Sequence, residues 1–369
     1  MSLTRRRFLT ATATLACTAT GLFAFVSSSK AEQYWLVSAA TDHNNQHFVC
    51  AVDLQGNEIS RISLPARGHD AINIEGKPGR AIIFARRPGL YAFEVDFISG
   101  QIVHHIRPEQ GYHFYGHGVL STRENTLLTS ENHFGTGNGF IVERDASNYQ
   151  IINRYPSGGI GPHQIALMSN DETLAIANGG IKTHPDQPRK KLNIDSMKPN
   201  LSYLDLVSGK IIEQHQLDNP QLSIRHLGVS AKDKVIAGLQ YQGIRTDLVP
   251  LAVSHIQGSS LKYLKASKQQ WRSMNQYTAS ICVDDNNSLV AISCPRADMI
   301  TYWSLNNDSF LGTERLSDGA GLAYTDKLFA SSGKGQIAEL AKGSISSSRL
   351  AFSFNQLRWD NHLLAMKIT

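Results

Sequence analysis

The sequence predicts an all-β chain folded as a seven-bladed β-propeller, closed by strands from both chain ends. Three observations predict it. Short apolar runs alternate with Gly, Asn and Asp turns, and no stretch keeps a strong helical period. Five histidines, His69, His117, His163, His226 and His362, recur at one position of a repeated unit. A strand–turn–strand element recurs as well: Val95-Asp96-Phe97-Ile98-Ser99-Gly100-Gln101-Ile102 matches Leu204-Asp205-Leu206-Val207-Ser208-Gly209-Lys210-Ile211. The first three histidine intervals are 48, 46 and 63 residues, and the last, 136, leaves room for two units without the histidine. Repeats of this length with several strands each, WD40-like or YVTN-like in spacing, build propellers.

The elements follow in order. Blades are expected at 68–111, 112–159, 160–222, 223–274, 275–318 and 319–353, the third carrying a Lys-, Pro- and Asn-rich insertion at 182–200. The seventh is split. Residues 361–368 supply its innermost strand, and 34–41, 47–54 and 58–64 supply the other three. Such closure removes the open edge that an unpaired blade would expose. The repeated Asp-and-Gly turns, with Val52-Asp53-Leu54-Gln55-Gly56 as a shortened version, join the two outer strands of a blade.

The innermost strand of each blade lines the central channel, so one imidazole per blade at one height makes a ring. The histidines stand in Gly-His-Asp-Ala-Ile, Gly-His-Gly-Val-Leu, Gly-Pro-His-Gln-Ile, Ile-Arg-His-Leu-Gly and Asp-Asn-His-Leu-Leu, each opening an apolar run. The fifth and sixth blades depart, with Thr278 or Ala279 and Gly321 near the position. The ends of the second strands reach the same face and place Arg86, Arg87, Glu131, His133, Asn178, Gln240, Arg296 and Asp42 on a polar rim. Neutral imidazole ligates Fe, Cu or Zn, and Glu131 or Asp42 would add an oxygen. The same ring would also suit an anion or a carboxylate, with Arg86, Arg87 and Arg296 helping.

The N-terminus reads as a twin-arginine export signal: Thr4-Arg5-Arg6-Arg7-Phe8-Leu9, an apolar Thr- and Ala-rich stretch to Val26, then Ser29-Lys30-Ala31 with cleavage after Ala31. Segment 1–31 is therefore a cleaved signal peptide and 32–369 a single propeller domain in the periplasm, without stable membrane insertion. The formal charge of +5 falls to +1 once Arg5, Arg6, Arg7 and Lys30 leave with the signal. A nearly neutral chain carries no basic stripe for nucleic acid. Cys50, Cys282 and Cys294 remain, and with no CxxC spacing they read as small apolar thiols.

Over its whole length the chain resembles a bacterial family known as domain of unknown function 1513. The export signal at 4–9, Gly116-His117-Gly118, Gly161-Pro162-His163-Gln164 and Trp359-Asp360-Asn361-His362 carry the resemblance. It implies an exported seven-bladed propeller tied to periplasmic iron uptake, and it assigns no catalytic residue. The expected function is binding of a metal ion or metal-bearing ligand at the histidine ring, with periplasmic metal-uptake or redox proteins as partners. Two other readings stay open: an enzyme of quinoprotein or lactonase type, and an interaction scaffold with structural histidines.

Overall fold

Seven antiparallel sheets succeed one another along residues 34–368, six of four strands and one of five. The computed structural model describes residues 32–187, 190–341 and 349–368. The expected export signal at 1–31, with Cys17, lies outside the described residues. The sheets are the blades of a seven-bladed propeller. No helix among the described residues is long and apolar enough to cross a membrane.

The innermost strands of the first six blades are Gly68–Asn73, Tyr112–Ser121, Pro162–Leu167, Leu222–Val229, Ile281–Asp284 and Gly319–Tyr324. The second strands are buried on both faces, because a blade packs on either side of each. Ala81, Ile82, Ile83 and Phe84 of Arg80–Ala85 are all fully buried, as are Leu174, Ala175, Ile176 and Ala177 of Thr173–Asn178. Outer strands such as Lys210–Gln216 alternate between exposed and half-buried residues instead, as a one-sided strand does.

Turn chemistry matches expectation. Asp96 Oδ1 accepts hydrogen bonds from the amides of Ile98 (2.9 Å) and Ser99 (3.2 Å). Asp205 Oδ1 accepts one from the Ser208 amide at 2.6 Å. The carboxylate thus satisfies turn amides that the sheet ladder leaves unpaired.

The seventh blade closes as the sequence predicts, with one difference. Tyr34–Asp42, His47–Asp53 and Glu58–Leu64 form its outer three strands. The innermost position is filled in two pieces, Leu357–Trp359 against Ala40 to Asp42 and Leu364–Lys367 against Tyr34 to Val37. His362 therefore sits in the break rather than within a continuous strand from 361 to 368. Cys282 stands opposite Ala291. All three cysteines are free; Cys50 and Cys294 are buried, and Cys282 is half-buried.

Candidate metal centre

Each histidine of the ring sits at an irregularity of its strand. The register shifts between Gly68 and Ala71, between Phe114 and Gly118, between Pro162 and Gln164, and between Ile224 and His226. His69, His117 and His163 fall within these shifts and His226 ends one, while His362 occupies the break in the seventh blade. A bulge bends the strand and re-aims a side chain that simple alternation would send elsewhere. His69 and His163 are second in their strands, but His117 is sixth and His226 fifth, so the ring follows the bulges and not the strand starts.

The five imidazoles converge. His69 lies 4.6 Å from His362 and 4.9 Å from His117, ring centre to ring centre. His226 lies 4.7 Å from His163 and 4.9 Å from His362. One nitrogen each from His69, His117, His226 and His362 falls within a single 4.8 Å group; His163 packs beside it, 5.0 Å from His117. Metal–imidazole bonds run about 2.0–2.1 Å, so opposed ligands lie about 4.2 Å apart, and small side-chain rotations bring the group to that span.

Close approach explains the surrounding glycines. Gly116 has φ +106°, and a Cβ there would lie 2.8 Å from Cδ2 of His69. At Gly321 in the sixth blade a Cβ would meet the His362 carbonyl carbon at 2.8 Å, so this blade has no room for a side chain where others carry a histidine. The fifth blade supplies a tether instead: Ser280 Oγ donates to the Asn361 carbonyl at 2.7 Å.

Two carboxylates, the buried Asp360 and the half-buried Asp70, orient the rings. His117 Nδ1 donates to Asp70 Oδ2 at 2.8 Å, and His69 Nδ1 donates to Asp360 Oδ1 at 3.0 Å. His362 Nδ1 lies 3.8 Å from the other oxygen of Asp70. Nε2 of His117 and of His362, and both ring nitrogens of His226, have no protein hydrogen-bond partner. A carboxylate behind the distal nitrogen fixes the tautomer and turns the proximal lone pair toward a metal. Burial drives the imidazoles of His69, His163 and His226 well below their usual range, and His362 down to about 4. Burial opposes ionisation of Asp70, but His362 and His117 hold its carboxyl down at about 2. Asp360 is likewise opposed by burial, and is held below the usual carboxylate range by His69, Arg67 and Arg86. The centre thus presents neutral imidazoles over ionised carboxylates, a donor set suited to Fe, Cu or Zn.

The rim residues divide. Arg86 and Arg296 line a cavity of about 480 Å³ at the channel mouth, together with Arg67, Arg358, Tyr277 and Asp318. Arg87 donates from Nη1 to the Tyr115 hydroxyl at 3.0 Å, and Tyr115 stands 6.2 Å from His163, ring to ring. The others are engaged elsewhere. Glu131 is fully buried and accepts from Arg144 Nη2 at 2.6 Å, so it adds no oxygen to the centre; burial pushes its carboxyl up. Asp42 Oδ1 accepts from the Gln46 amide at 2.8 Å and closes a turn. Asn178 binds the Ser157 carbonyl and Asn200, and Gln240 donates to the Thr278 carbonyl, both as clasps between neighbouring blades. His133 is tied to Thr136. Asp70, Asp360 and Arg225 were missed. Asp70 and Arg225 adjoin a ring histidine and Asp360 stands two residues before one, and that nearness in sequence is the available signal.

Glu213, His215 and His255 form a second group of possible ligands. Protein partners occupy it: His255 Nδ1 faces the Tyr203 hydroxyl (2.6 Å), its Nε2 faces the Ser259 carbonyl (3.0 Å), and Glu213 accepts from the Gly258 amide (3.0 Å). It reads as a strap between the third and fourth blades.

A family model described as "Protein of unknown function (DUF1513)" matches residues 62–366. No curated protein matches the chain. Among solved structures, hydrazine synthase of Kuenenia stuttgartiensis is similar with a TM-score of 0.58 at 10% identity, over 82% of this chain and 94% of that one. Apo AztD of Citrobacter koseri is similar with a TM-score of 0.54 at 12% identity, over 92% and 99%. The Dos1 propeller gives 0.53 at 12%, over 85% and 81%. At these identities the likeness is one of fold.

Proposed function

The chain belongs to the family described as protein of unknown function DUF1513, and from its histidine centre we propose that it binds a transition-metal ion, or a ligand bearing one, through His69, His117, His226 and His362. One observation carries this reading: four buried imidazole nitrogens gather within 4.8 Å, with the carboxylates of Asp70 and Asp360 behind them. Packing alone would not favour it, because a buried nitrogen without a partner costs free energy that a metal bond would offset. Iron, copper and zinc all accept such donors. The reading extends to metal acquisition in the periplasm. The Arg5-Arg6-Arg7 signal supports export there in the folded state, and periplasmic metal-uptake or redox proteins would be the partners.

The test is the metal content of the mature protein, exported natively and purified without chelator or polyhistidine tag. About one equivalent of Fe, Cu or Zn is expected, and His117→Ala with His226→Ala should remove it while the fold persists. A wild-type protein that neither carries nor takes up these metals would overturn the reading. Unchanged metal content in the double variant would do the same.

A further inference from the structure

Arg225 precedes His226 at the bulge of the fourth blade and is 2% exposed. Its Nε and Nη1 have no protein hydrogen-bond partner. The groups acting most strongly on it are Arg87, Tyr115, Tyr277 and Arg86, and no carboxylate is among them. A cation enclosed in protein needs a counter-charge or loses much of its stability.

Arg86 and Tyr277 line the mouth cavity and also act on Arg225. Four arginines line the cavity against one carboxylate, Asp318. Asp360 offsets Arg67, so an excess of positive charge faces the opening. Lys191, which feels Arg225, Arg296 and Arg87, adds to the same field. Two of the guanidinium planes are held on aromatic rings: Arg87 lies 5.0 Å over Tyr115 and Arg296 lies 4.3 Å over Tyr277. Stacking of this kind holds the planar fork in place for two-point contact with an oxyanion.

We propose that the channel mouth binds a small oxyanion carrying two or more negative charges, held by Arg86 and Arg296 at the cavity wall, with Arg225 and Arg87 adding positive charge behind them. The site is independent of any metal at the histidine centre. A metal arriving inside an anionic chelate would engage both sites, and that last step alone rests on the metal reading.

Calorimetric titration of metal-free mature protein in a low-chloride buffer tests the proposal, with citrate and inorganic phosphate as separate probes. One equivalent of at least one probe should bind, and should bind at least roughly tenfold more weakly in Arg296→Met and in Arg86→Met, as loss of a charge-assisted contact implies. Citrate alone binding identifies a carboxylate ligand, and phosphate alone a phosphate ligand. Arg225→Met should also melt at a higher temperature than wild type without anion, because it removes an uncompensated buried charge, and should show a smaller rise in Tm when the anion is added. If Arg225→Met does not fold, Arg86→Met carries the test. Binding of neither probe, or binding unchanged in the variants that fold, would overturn the site. His117→Ala with His226→Ala should keep anion binding while losing metal, so the two readings fail separately.

Discussion

Oδ2 of Asp70 lies 2.8 Å from Nδ1 of His117, and that contact leaves Nε2 of the ring, which has no protein partner, among the other imidazoles. Asp70 follows His69 directly in the chain, yet it serves the histidine of the next blade. Its second oxygen faces His362, so one carboxylate spans three blades.

Asp70→Asn should keep the fold and weaken metal binding by roughly 10- to 100-fold, the usual effect of losing a carboxylate behind a histidine ligand. Competition against a chromogenic chelator measures it. Affinity equal to wild type would show that Asp70 does not support the ligand.

His226→Ala and His163→Ala should differ. His226 belongs to the group of four nitrogens and His163 does not. The first substitution should abolish stoichiometric metal binding, and the second should change affinity by less than about tenfold. Equal loss in both would move His163 into the ligand set.

Gly116→Ala should disturb the centre without touching a ligand. Its backbone is held at φ +106°, and the new methyl would press on His69. A strain of about 1–3 kcal/mol is expected, read as a lower urea midpoint together with reduced metal content. A variant as stable and as metal-loaded as wild type would contradict the close approach.

Metal-free protein should lose stability as pH falls from about 6.5 toward 4. Folded His69, His163, His226 and His362 resist protonation because they are buried, while unfolded histidine takes a proton near pH 6.5. The unfolded state therefore binds more protons in this window, and stability falls with pH, by up to about 1.4 kcal/mol per pH unit per group. Asp70, held down at about 2, contributes only below this range. Melting curves from pH 7.5 to 4.5 should steepen in this way and flatten in His163→Ala with His226→Ala. An equally steep dependence in that variant would place the effect elsewhere.

Arg144→Ala should destabilise the second blade and leave the centre alone. It strands the fully buried Glu131, whose partner is 2.6 Å away, at a cost of about 3–5 kcal/mol. Urea unfolding gives the loss. Metal content per folded molecule should stay as in wild type.

Much of the fold was legible because its signals are local. Asp96 and Asp205 close turns through amides two or three residues away, and apolar strands set the blade count. The equivalence of five histidines was legible for the same reason, since a repeat returns each to one height. The rim was only partly legible. Glu131 and Arg86 both come from second strands or their ends, yet one is consumed by Arg144 and the other faces the cavity. A strand-end position specifies height along the channel but not the partner that a side chain meets.

The sequence by itself determined an all-β propeller of seven blades, a split closing blade and the five histidines of its hub, because period, turn residues and repeat length act over a few residues. Tertiary structure alone decided that Asp70 and Asp360 stand behind the ring, that Gly321 yields its place to His362, and that Arg225 is enclosed without a carboxylate. Those relationships join different blades. They depend on where each strand bulges and on how the ring closes, and packing across the channel sets both.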